Sequence, residues 1–195
     1  MLKINPISLG KSPWNYGIAL DYHTISSHKD LEGSFVTDRT EIGECLYKLK
    51  YCSEIKEVET IAQTAAGWLK ENLRVINYIN YIVPVPPTQV RGIQPVRLIA
   101  ERMSKLLDIS VSFNLIKIKE TRSMKEIEDY NERIKELNRA FDLKNPTAYF
   151  GKSILLVDDV YRSGATLNVI TNLLKNKGRV RAVYVLAITK TRVKR

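Results

Sequence analysis

Two adjacent carboxylates, Asp158 and Asp159, end the apolar run Ile154-Leu155-Leu156-Val157, and Arg162, Ser163, Gly164 and Thr166 follow closely. A buried strand that ends in two acids brings anions to a sheet edge. There they can take a divalent cation or accept hydrogen bonds from sugar hydroxyls. The turn after them has the opposite preference. Its backbone N–H groups and the start of the next helix attract a phosphate, the Ser163 and Thr166 hydroxyls add donors, and Gly164 lets the backbone approach closely. The stretch therefore calls for one ligand with hydroxyls, or a metal, at one end and a phosphate at the other. A phosphorylated pentose meets both demands.

The elements that must position these groups alternate along the chain. Ile18–Tyr22 reads as a short strand and the polar residues 23–34 after it as a loop. Asp38, with Glu41 three residues on, has the spacing of a capping box, and Ile42, Cys45, Leu46 and Leu49 repeat at helical spacing. Ser53 is placed to cap a second helix with an apolar stripe of Ile55, Val58, Ala62, Ala65 and Leu69. Residues 78–87 read as a buried strand stopped by prolines, Val96–Leu107 as a helix, and residues 111–118 as containing a strand. Residues 119–139 are almost all charged and polar, a mobile excursion or a surface helix. Strand 153–160, helix 166–178 with Gly178 at its end, and strand 181–189 complete a β-α-β unit. Such alternation predicts an α/β fold with a mostly parallel central sheet flanked by helices, whose ligands collect at the carboxyl ends of the strands.

With 195 residues, 44% of them hydrophobic, the chain suits one globular unit with a real core. The start lacks the pattern of a secretory signal and no apolar run nears membrane-spanning length, so a soluble, cytoplasmic protein with no membrane partner is expected. Cys45 and Cys52 support neither a disulfide framework nor a zinc ribbon, and their spacing on a helix predicts small core residues. His23 and His28 lack companion metal ligands and are expected at the surface. Trp68 is expected in the core, and Trp14 is a candidate stacking platform. A net charge of +10 attracts phosphates and nucleic acid without choosing between them, and interleaved glutamates make ordinary surface charge an equal reading.

The stretch 154–166 resembles the phosphoribosyl pyrophosphate (PRPP) motif of type I phosphoribosyltransferases over its apolar run, acidic pair and phosphate turn. More of the chain is similar to the ComF family of competence-associated, phosphoribosyltransferase-like proteins. Its Val-Pro-Val-Pro strand end and following Arg-Gly match residues 83–92, its approach to an Ala-Phe matches 133–141, and its Leu-Lys-Tyr helix matches 44–51. The resemblance implies a small N-terminal hood over residues 1–51 and a phosphoribosyltransferase-like core over 52–195. It implies that Asp158 and Asp159 hold the ribose hydroxyls with Mg2+ nearby, directly or through substrate or water, and that Arg162, Ser163, Gly164, Ala165 and Thr166 wrap the 5-phosphate. Pro86, Pro87, Thr88 and Arg91 would face the pyrophosphate. Thr121 and Lys125 would reach in from a flexible loop that closes over the site.

The implied activity is a magnesium-dependent transfer of the phosphoribosyl group to a nucleobase-like nitrogenous acceptor, with release of pyrophosphate, in nucleotide metabolism. Arg162 stands where purine-salvage members carry an aspartate that serves as base. An arginine cannot deprotonate a nucleobase, which disfavours purine salvage. Gln94, Pro95, Met124 and Glu136 also depart from the ComF pattern, and no cysteine precedes Cys45 where that family has its N-terminal cluster. The competing function class is a non-catalytic ComF-like protein that binds PRPP, nucleic acid or a partner protein, or pairs as a homodimer, in DNA uptake, regulation or defence.

Overall fold

The computed structural model describes residues 1–10, 12–30, 33, 35–87, 92–119 and 130–192. In chain order its elements are β1 (Ile7–Ser8), β2 (Tyr16–Tyr22), β3 (Thr24–Lys29), β4 (Phe35–Arg39), α1 (Glu41–Tyr51), α2 (Glu57–Asn72), β5 (Tyr81–Pro84) and α3 (Pro95–Leu107). There follow β6 (Leu115–Lys117), α4 (Tyr130–Asn138), β7 (Phe141–Leu143), β8 (Ser153–Tyr161), α5 (Ala165–Asn176) and β9 (Ala182–Lys190).

A five-stranded sheet in the order β1-β2-β9-β8-β5 is parallel throughout except for the short edge strand β1. The α/β architecture is the one the alternating pattern predicts. In β8 and β9 the apolar residues run nearly without break because both faces are covered, as in buried parallel sheets generally. Successive side chains then divide between two cores. Leu155 and Val157 of β8, with Leu186 and Ile188 of β9, pack beneath α1, α2 and α3. Ile154 and Leu156, with Val185 and Ala187, pack against α5, Leu137 of α4 and the β6–β7 pair.

Several local details differ from the sequence-based expectation. Residues 24–29 are not loop: they form β3, paired antiparallel with β4 in a hairpin separate from the main sheet. Both strands are polar enough that no alternation marks them, and cross-strand hydroxyl and carboxylate contacts such as Ser26 Oγ to Asp38 Oδ2 at 2.5 Å serve instead. That contact occupies Asp38, and the cap of α1 is Thr40, whose Oγ1 accepts from the Gly43 N–H at 3.1 Å. Ser53 caps nothing, because α2 starts at Glu57 with no side-chain cap. Segment 1–51 contributes β1 and β2 to the central sheet, with β2 hydrogen-bonded to β9, and the hairpin and α1 lie beyond.

Cys45 is half-buried on α1, and burial pushes its thiol up to about 12. Cys52 is exposed rather than in the core, since it is the C-terminal cap residue where α1 has left the packed face. Trp68 packs against the first core. Trp14 is a core residue too, 6% exposed, with its ring edge-on to Tyr161 at 6.4 Å between centroids. Among the described residues no helix is long and apolar enough to cross a membrane.

Candidate functional site

The sheet delivers the acidic pair to its carboxyl end and then splits it. Asp158 shares the pleat face of Leu156 and lines a cleft of about 100 Å³ with Leu137, Val160, Tyr161, and the turn Arg162 to Leu167. Asp159 points the other way, toward α1, where its Oδ2 accepts from the Lys50 ammonium at 2.6 Å. The two carboxylates therefore have different surroundings despite being neighbours in sequence. Burial, and then the negative charge of Asp159, push the Asp158 carboxyl up to about 7, against a smaller opposing pull from the Asp159 N–H that it accepts and from Lys50.

The phosphate-attracting turn is built next to Asp158. Arg162 and Ser163 are exposed, Gly164 and Ala165 buried, and Thr166 half-buried at the start of α5. Gly164 has the left-handed backbone φ 78° that lets the chain leave β8 and enter α5 in one step, and its carbonyl accepts the first helical bond from Asn168 at 2.8 Å. A Cβ there would stand 2.6 Å from the Tyr161 hydroxyl. Gly164→Ala is therefore expected to cost about 1–2 kcal/mol from the left-handed backbone alone, and to push the Tyr161 ring toward Trp14. Thermal melts check the first effect and Trp14 fluorescence the second.

Pro86 and Pro87 follow β5 at the same end of the sheet, one strand over. Pro84 pairs with Val157, and the Val85 N–H donates to the Val157 carbonyl at 2.8 Å, so this loop starts beside Asp158. Thr88 and Arg91 lie outside the described residues, as do Thr121 and Lys125.

Lys50 and Thr189, which sequence reasoning did not single out, and His23, expected at the surface, complete the surroundings of Asp159. Lys50 arrives from the last turn of α1. Thr189 of β9 places Oγ1 3.3 Å from the Asp159 carbonyl and 3.2 Å from His23 Nδ1. His23 is half-buried at the end of β2 rather than a plain surface residue, and burial, then Lys50 and Arg39, lower its pKa and favour the neutral ring. The signal for Lys50 was present in the Leu-Lys-Tyr stretch. Its helical spacing beside Leu49 looked like an ordinary solvated position.

The phosphoribosyl transferase domain family matches residues 53–193. The chain belongs to that family. Competence protein F of Haemophilus influenzae is 34% identical over 105 residues, which cover 50% of this chain and 44% of that protein, so the chain spans less than half the length of this relative. Among solved structures, the adenine phosphoribosyltransferase of Leishmania tarentolae is 10% identical, covering 95% of this chain and 94% of that one with a TM-score of 0.49. The enzyme from Saccharomyces cerevisiae is 12% identical over 85% and 83% of the two chains, with a TM-score of 0.47. The phosphoribosyl transferase domain match starts at residue 53, so Lys50 and His23 approach its acidic motif from the segment before it.

Proposed function

We propose that this phosphoribosyl transferase domain protein binds PRPP together with Mg2+ and transfers the phosphoribosyl group to a nitrogenous, nucleobase-like acceptor, releasing pyrophosphate. The observation that carries the reading is the placement of Asp158 and the turn Arg162 to Thr166 around one cleft at the carboxyl end of a parallel sheet. A carboxylate at one end and the first-turn N–H groups of α5 at the other match a ribose ring that carries a 5-phosphate. In the transfer, the bond from the anomeric carbon to the pyrophosphate oxygen breaks, the electron pair leaves with pyrophosphate, and a carbon–nitrogen bond forms to the acceptor. Chemistry of this kind is driven by positioning and charge stabilisation. Asp158 would orient the ribose hydroxyls, the turn would anchor the phosphate, and the Pro86–Pro87 loop would flank the leaving group.

Among the described residues no group of three His, Cys, Asp or Glu side chains could cage a metal. Mg2+ seldom uses such cages. It binds through one or two carboxylates, waters and substrate phosphates, and Asp158 fits that arrangement whereas Asp159 is engaged by Lys50. When bound, the ion would neutralise charge on the departing pyrophosphate.

Calorimetric titration of PRPP with Mg2+ tests the reading, with expected saturable binding to the wild type that Asp158→Asn strongly weakens. Heat of binding unchanged in the variant would place the ligand elsewhere, and no heat with the wild type would end the proposal. A second reading is a non-catalytic role in DNA uptake, for which the likeness to competence protein F and the net charge of +10 speak. It predicts salt-dependent binding to nonspecific DNA with no acceptor-dependent loss of PRPP.

A further inference from the structure

We infer that Lys50 is a positioning residue of this site, which acts on the ligand through Asp159 and not by touching it. The inference rests on the reading of the cleft as a PRPP site. It adds a residue from before the matched family domain.

Lys50 is not a surface lysine that happens to meet an acid. Its side chain is only 16% exposed and that of Asp159 24%, their 2.6 Å contact joins residues 109 apart, and α1 beneath it is anchored by Ile42, Leu46 and Leu49, all fully buried. The neighbouring cations of α1 and β4 behave differently. Lys48 and Arg39 meet Glu44 at longer, more exposed separations of 3.9 and 3.4 Å. Asp159 is also held at its backbone, where its carbonyl accepts from Thr189. Side chain and carbonyl are thus fixed from two elements, α1 and β9.

Two consecutive carboxylates at one strand end repel each other, and a counter-charge on one of them relieves the repulsion on both. The Lys50 ammonium holds Asp159 on the α1 face of the sheet. The pleat places Asp158 on the opposite face, in the cleft, beside the phosphate turn, so Lys50 keeps the charge of Asp159 neutralised behind it. Lys50 itself stands across the sheet from the cleft.

The test compares wild type with Lys50→Met and Lys50→Gln, titrating PRPP with Mg2+ and, separately, ribose 5-phosphate, after melting curves establish that each variant is folded. A residue acting through the acidic pair must affect both ligands, because both carry the ribose hydroxyls. A residue that grips pyrophosphate affects PRPP alone. We expect both affinities to fall by a common factor of about ten. Binding of either ligand at wild-type strength, or a loss confined to PRPP, would overturn the inference. So would loss of the fold in both variants, which would make Lys50 a structural strut. Absence of PRPP binding in the wild type would instead remove the functional reading on which the inference stands.

Discussion

Asp158→Asn is expected to make the protein more stable and its ligand weaker. The folded state holds the Asp158 carboxyl at about 7, whereas an unfolded chain releases its proton near the ordinary 3.8. Between those values the native protein binds more protons than the unfolded chain, so this group's contribution to stability falls as pH rises through the window from about 4 to about 7. The slope approaches ~1.4 kcal/mol per pH unit, and the accumulated cost above pH 7 is on the order of a few kcal/mol for this half-buried side chain. Asparagine keeps the oxygen that accepts the Asp159 N–H and does not titrate. Melting curves at pH 4, 6 and 8 should therefore coincide at the lowest pH and separate progressively in favour of the variant. A constant gap at all three would mean that Asp158 titrates normally. In parallel, loss of the charged acceptor should weaken PRPP binding by roughly 30-fold, the scale of a hydrogen bond to an ionised group. A residue that costs stability and earns affinity is what a ligand contact looks like.

The second large effect is expected far from the cleft. Gly43 lies in the first turn of α1, where a Cβ would collide with the His23 carbonyl oxygen and stand 2.9 Å from Thr40 Oγ1. Thr40 Oγ1 itself donates to the Tyr22 carbonyl at 2.6 Å, so the helix start is fastened to the end of β2 through the Thr40 hydroxyl. Gly43→Ala must therefore push α1 away from the sheet, at a cost of about 3 kcal/mol, the upper part of the usual overpacking range. Because α1 carries Lys50, the same shift should pull the ammonium off Asp159 and weaken PRPP binding as well. Chemical denaturation measures the first consequence and calorimetry the second.

These two positions also mark what a sequence reader could and could not have seen. The strand-acid-acid-turn-helix series was legible because it is local. Apolar β8, the acids and the glycine turn follow one another in thirteen residues, Ile154–Thr166, and each type has one sensible place in a parallel sheet. The two outer helices α2 and α3 announced themselves by apolar spacing. By contrast, β3 and β4 bury no continuous face, so their polar residues gave no period to read. The choice between Thr40 and Asp38 as helix cap turned on which side chain the hairpin had already occupied, a tertiary fact. His23, Lys50 and Thr189 belong to three elements that meet Asp159 only after the sheet is assembled. Nor does the adjacency of Asp158 and Asp159 in sequence disclose that the pleat sends them to opposite faces.

The order of strands has a bearing on how the protein is made. β9 lies in the interior of the sheet between β2 and β8, yet it is the last of the described strands to leave the ribosome, and its register with β2 joins residues as far apart as Tyr16 and Tyr184. Until it emerges, a growing chain carries two unsatisfied strand edges and the apolar faces meant for it, the condition in which nascent chains attract chaperones and one another. Closing so long a loop before any pairing rewards it also slows folding. The nascent chain can form its helices early, but its ligand site has to wait for translation to reach Lys190.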